Sequence, residues 1–178
     1  MARKVSTLWA VLAVGLLAAC QADSAQEQAE ASEAELLVRM LGTAIESADT
    51  ALILDIFWPE ATYDDFPNQI THEGPQEIVA YLTAAHVWGD DVYMSFGRIH
   101  VGNGMATGEW VFSAVQSRPM PGQVPITTGN EVVFNGVTII EIQDGRIIRA
   151  ADYADTAPLT LQLGGTIEFP GNEGNRDR

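Results

Sequence analysis

Lysine is almost missing from this sequence. Lys4 is the only one in 178 residues, and nine basic residues face 24 Asp and Glu, a formal charge of −15. Without an amine beyond the N-terminal segment, a Schiff-base enzyme and a P-loop lysine are both excluded. The acidic field repels phosphate backbones, which argues against a nucleic-acid partner. Cysteine is as scarce: with Cys20 alone, disulfide frameworks and Cys-rich zinc sites are excluded. The three histidines, His72, His86 and His100, fall on three different predicted elements, so no metal site is expected. No Gly-x-Ser-x-Gly elbow is present, which leaves a serine hydrolase without support. Gly102-Asn103-Gly104 followed by Gly108 joins two predicted strands and has the wrong spacing for a nucleotide loop. No cofactor is called for. Long hydrophobic runs are absent too; the best, Leu8 to Ala19, is too short for a helix to cross a bilayer core of roughly 30 Å.

What is there begins with Arg3 and Lys4, then that apolar run, then Cys20, the layout of a secretory signal. Leu17-Ala18-Ala19-Cys20 resembles the lipobox of bacterial lipoproteins. The resemblance implies cleavage before Cys20, lipidation of that residue, and a membrane partner reached through the anchor. Residues 1–19 are thus expected to be a signal peptide. Residues 20–33 are the lipidated Cys and a flexible tether of Gln, Ala, Ser and Glu with no aromatics. The expected location is the bacterial cell envelope, outside the cytoplasm. Gln21 after Cys20 resembles lipoproteins sent to an outer membrane, where the source has one. Residues 165–178, rich in Gly, Asn and charge, are a flexible tail in which Ile167 and Phe169 could dock.

Residues 34–164 form the domain. Leu36, Leu37, Met40, Leu41, Ala44, Ile45 and Ala48 recur at helical spacing. Asp49 caps a second helix over Thr50–Phe57, stopped by Pro59, and Ala61–Asp65 is a short strand. Pro75 opens a third helix carried by Ile78, Val79, Leu82 and His86. From Val92 the pattern changes to period two. Asn103-Gly104 joins Val92–Val101 to Met105–Ser117, and Asp144-Gly145 joins Glu131–Ile142 to Arg146–Tyr153. Pro119, Pro121 and Pro125 make 118–129 a loop. Asp155–Leu163 closes the unit as a short helix, Asp155 its cap. The order predicts an α+β fold, with about three N-terminal helices on a curved, mainly antiparallel sheet.

The segment Gly136–Ile147, then Asp152-Tyr153-Ala154-Asp155, Pro59–Tyr63 and Gly74–Leu82 resemble the nuclear transport factor 2-like superfamily, more closely its SnoaL-like, polyketide-cyclase-like branch. The resemblance implies a cone-like roll enclosing a pocket, and in many members a homodimer through the outer sheet face. It says little about function, because the fold hosts isomerases, cyclases, epoxide hydrolases and binding modules. Limonene-epoxide-hydrolase-like members carry Arg and Asp at about the positions of Trp110 and Phe112 here, so their water-activating machinery is not expected.

Strand parity gives the inward face. Ile148, Ala150 and Asp152 share one side of the last strand; Phe134, Thr138 and Ile140 share a side of the strand before it. Trp110 and Phe112 share a side of the strand before that. The expected pocket is therefore lined by Trp110, Phe112, Phe134, Ile140 and Ile148, with His86 at its rim. Asp152, among apolar neighbours, is the expected catalytic base, because burial disfavours its charged form. Tyr63 is the expected donor to a developing enolate. Two functions follow: a cofactor-free cyclase or isomerase that takes a proton from carbon next to a carbonyl of a small apolar substrate, or a membrane-tethered ligand-binding or assembly module without chemistry.

Overall fold

The computed structural model describes residues 6–120 and 122–167, with side chains from residue 26 onward. A long helix, α1 (Ser6–Ser47), is followed by α2 (Thr50–Ile56), β1 (Phe57–Asp65), β2 (Ile70–Glu73), α3 (Gly74–Leu82) and α4 (Ala85–Trp88). Then come β3 (Gly89–Gly102), β4 (Met105–Gln116), β5 (Glu131–Gln143), β6 (Arg146–Ala154) and α5 (Ala157–Gln162). The strands form one mixed sheet in the order β2-β1-β6-β5-β4-β3, which does not close on itself. All neighbours are antiparallel except β1 and β6, which run parallel. This is the α+β cone expected from the sequence.

Helix α1 packs on the sheet through Leu37, Val38, Leu41, Ala44 and Ile45, all buried, whereas Leu36 is 56% exposed and lies off the stripe. Each fully buried aliphatic side chain contributes about 1.5–3 kcal/mol, so this stripe fixes the helix on the sheet. The helix also runs through the segment expected to be a loose tether. Ala, Gln and Glu are strong helix formers, and Gln26 bonds Glu30 one turn on. Cys20 and the run Leu8–Ala19 lie where only backbone is described, and residues 168–178, with Phe169, lie outside the described residues. Among the described residues no helix is long and apolar enough to cross a membrane.

Asp49 caps α2 as expected, its carboxylate accepting from the Leu52 N–H at 3.0 Å. Pro59 does not stop that helix; it lies inside β1, where the pairing with β6 shifts register between Phe57 and Thr62. The third helix is shorter than its stripe suggested. The Thr83 hydroxyl bonds back to the Val79 carbonyl and the helix ends there, so His86 falls on the separate turn α4. Both hairpin dipeptides adopt positive φ, 54° and 71° at Asn103-Gly104 and 48° and 72° at Asp144-Gly145, the geometry of tight two-residue turns. Asp155 accepts from the Ala157 N–H at 3.0 Å, while Thr156 is the residue that opens α5.

Candidate active site

Three ladder rungs assemble the site. Asp152 on β6 faces Thr138 on β5 and Asp65 on β1, and on β4 Trp110 faces Gly136. Gly136 is required there: a Cβ at that position would lie 2.2 Å from the Trp110 ring. The indole can therefore lie across the strand. Its Nε1–H donates to the Thr138 hydroxyl at 2.9 Å, and that hydroxyl donates to Asp152 Oδ1. From the helical side, Tyr81 on α3 donates its hydroxyl to Asp152 Oδ2 at 3.1 Å. Tyr81 is itself held between rings, tilted against Tyr63 at 5.0 Å and stacked on His72 at 4.4 Å.

Asp152 is 9% exposed. Burial, the largest influence, raises its pKa from an ordinary 3.8 to about 6. The hydroxyls of Thr138, Tyr63 and Tyr81 hold the shift down, and the charge of Asp65 adds to it. Desolvation of an acid is thus only partly offset by hydrogen bonds to its ionised form. Burial, then the charges of Asp152 and Asp65, push the Tyr81 hydroxyl far up, so it stays a neutral donor.

These groups form one end of a cavity of about 220 Å³, open to solvent. Trp88, Trp110, Phe112, Phe134, Met94 and Met120 supply its apolar wall. Met120 comes from the 117–130 loop, which is pinned by the fully buried Gln116. The Gln116 amide donates to the carbonyls of Arg118 and Ile126 and accepts from the backbone N–H and hydroxyl of Thr128. Arg118 adds a second anchor, reaching the carbonyls of His86, Val87 and Gly89.

The structure brings Asp152, Trp110, Phe112 and Phe134 together around this cavity. It places four other expected residues elsewhere. Tyr63 is wholly buried behind Tyr81, and its hydroxyl has no well-formed hydrogen bond. A ligand in the cavity meets Tyr81 instead. Ile140 is buried in the core away from the cavity. Ile148 is the extra residue of a β-bulge: Glu141 pairs with Arg149 and Ile142 with Ile147, which leaves Ile148 unpaired and returns Ile147 to the inner face. His86 bonds the Ile45 carbonyl at 2.9 Å and ties α4 to the end of α1.

Tyr81 and Asp65 are the residues missed. Tyr81 lies three positions from Ile78, on the helix face turned to the core, and Asp65 shares the parity of Tyr63 on β1, so both signals were present. Asp64 and Asp65, adjacent at the end of β1, both have partners within the fold. Asp65 is 4% exposed and accepts from the backbone N–H and side-chain amide of Asn68. Asp64, on the other face, pairs with Arg149 at 2.6 Å.

A family model described as a SnoaL-like domain matches residues 37–150, and the chain belongs to that family. The match stops just short of Asp152. No curated protein sequence matches the chain. Among solved structures, TsrD from Streptomyces laurentii superposes with a TM-score of 0.67 at 21% identity, over 76% of this chain and 97% of that one. IdmH from Streptomyces antibioticus, a candidate polyketide cyclase, gives 0.65 at 17% identity over 73% and 97%. A limonene-epoxide-hydrolase-like enzyme from M. tuberculosis gives 0.59 at 18% identity over 75% and 91%. At such identities these likenesses concern the fold.

Proposed function

We propose that the domain is a cofactor-independent acid–base catalyst, of the cyclase or isomerase type, that removes a proton from carbon next to a carbonyl. The observation that carries this reading is Asp152, a nearly buried carboxylate opening onto an aromatic cavity with a pKa of about 6. At neutral pH such a group is mostly ionised yet basic enough to accept a proton. Thr138 and Tyr81 fix both its oxygens. As Asp152 takes up the proton it no longer needs the Tyr81 donor, and the single Tyr81 hydrogen can turn to the developing enolate oxygen at the cavity. The apolar wall suits a small, flat, largely hydrocarbon substrate.

The test uses small ketones in D₂O, with deuterium entry at the α-carbon followed by NMR. The wild-type domain should accelerate exchange of at least one ketone, and Asp152→Asn should abolish the acceleration. Equal exchange by both proteins would leave a ligand-binding or assembly module. The domain's carriage on the bacterial envelope through a lipidated Cys20 is part of the same proposal, supported by Leu17-Ala18-Ala19-Cys20. In cell fractionation, Cys20→Ser should move the protein from membranes to the soluble fraction; unchanged membrane association would remove the anchor from the account.

A further inference from the structure

Asp65 and Asp152 are partners across the parallel β1–β6 pair, on strands about 4.8 Å apart. Both line the cavity, at 4% and 9% exposure. Neither has a cationic partner among the described residues: the arginine ion pairs go to Glu35, Asp90, Asp64 and Glu141. Among the described residues no Lys, Arg or His lines the cavity. The groups that do reach the two acids are neutral, Asn68 on Asp65 and the Thr138 and Tyr81 hydroxyls on Asp152. Neutral donors orient a carboxylate without cancelling its charge. Two acids on one buried rung are costly unless one takes up a proton or a counter-charge joins them. Above about pH 6, where Asp152 is mostly ionised, the counter-charge is what remains.

We propose that the cavity takes a small organic cation, an ammonium compound with an apolar body, anchored by Asp65 and walled by Trp88, Trp110, Phe112 and Phe134. This rests on the acid–base reading of the same cavity and adds the charge of the substrate. Aromatic rings favour an alkylammonium through their quadrupoles, whereas a hydrated metal ion gains little from such walls. An anionic substrate would meet two carboxylates with no compensating cation. The excess of acidic residues over the whole chain draws cations toward the site. The two acids divide the work: Asp65, held by Asn68, binds the charge, while Asp152 moves the proton.

Choline and its neutral isostere 3,3-dimethylbutan-1-ol separate charge from shape. Titrations at pH 7.5 in moderate salt, followed by fluorescence of the cavity tryptophans and by calorimetry, should give choline at least about tenfold tighter binding. Asp65→Asn should remove most of that preference while leaving the alcohol's binding unchanged. The wild-type ratio stands as a test even if the variant fails to fold. Equal or tighter binding of the alcohol would overturn the proposal, as would an undiminished preference in Asp65→Asn. Deuterium exchange distinguishes the two claims. Exchange that depends on Asp152 without a preference for the cation sinks this inference alone. A cation preference without such exchange sinks the acid–base reading and leaves a binding site for organic cations.

Discussion

The two faces of the β1–β6 pair carry acids one rung apart, Asp64 and Asp152, that live in opposite conditions. On the outer face Asp64 accepts from Thr71 at 2.7 Å and pairs with Arg149, which also reaches Glu141 at 3.0 Å. The Thr71 hydrogen bond, then the Arg149 guanidinium, hold Asp64 below the usual carboxylate range. On the inner face Asp152 has hydroxyls for partners and no cation, and burial pushes it up. The two strands thus supply a stabilising ion network to solvent and a costly basic carboxylate to the cavity. Side-chain parity alone decides which an acid becomes.

The two faces part most widely under Asp152→Asn. In the deuterium-exchange assay the rate should fall by about two to four orders of magnitude, whereas Asp64→Asn should leave it within roughly twofold. Loss of activity in Asp64→Asn alone would reverse the assignment of faces.

Stability should respond with opposite signs on the two faces. The folded pKa of Asp152, about 6, lies above its ordinary 3.8. Between these values the folded state holds a proton that the unfolded state has released, so its contribution falls as pH rises from about 4 to about 6. Fully expressed above that window, the loss is on the order of 3 kcal/mol. Denaturant melts should therefore show Asp152→Asn more stable than wild type at pH 7, the difference shrinking as pH falls toward 4. Asp64 runs the other way: its lowered pKa contributes stability above its ordinary pKa, which is lost as pH falls further.

Tyr81→Phe sharpens the inner face. Its hydroxyl favours the ionised form of Asp152, so the variant's pH–rate midpoint should move up. The rate should drop by roughly tenfold to a hundredfold on the high-pH plateau, where the enolate has lost its donor, and further at pH 7. The smallest effect belongs to Arg149→Met. This pair is still partly open to solvent, at 33% and 18% side-chain exposure, so its loss should cost about 1 kcal/mol, with no change in exchange rate. A large loss of exchange there would mean that the outer network positions the cavity.

Much of this arrangement was legible where local chemistry decides structure. Asn103-Gly104 and Asp144-Gly145 marked both long hairpins, Asp49 marked the start of α2, and alternation put Asp152, Phe134, Trp110 and Phe112 on the inward face. What could not be read depended on distant partners. β2 is four residues long and exists because Ile70–Glu73 pairs with Thr62–Asp65. The Ile147–Ile148 bulge defeats a parity count that assumes unbroken pairing. His86 looked like a continuation of the α3 stripe until Thr83 ended that helix. Tyr81 had helical spacing in its favour, but its role comes from a hydroxyl meeting Asp152 across 71 residues of chain.

The most direct test is a titration of the Asp152 carboxyl itself. Carbon-13 NMR of the labelled domain, with Asp152→Asn used to assign the resonance, should show a midpoint near pH 6. A midpoint near 4 would mean a well-solvated acid, and the buried base on which the account rests would be gone.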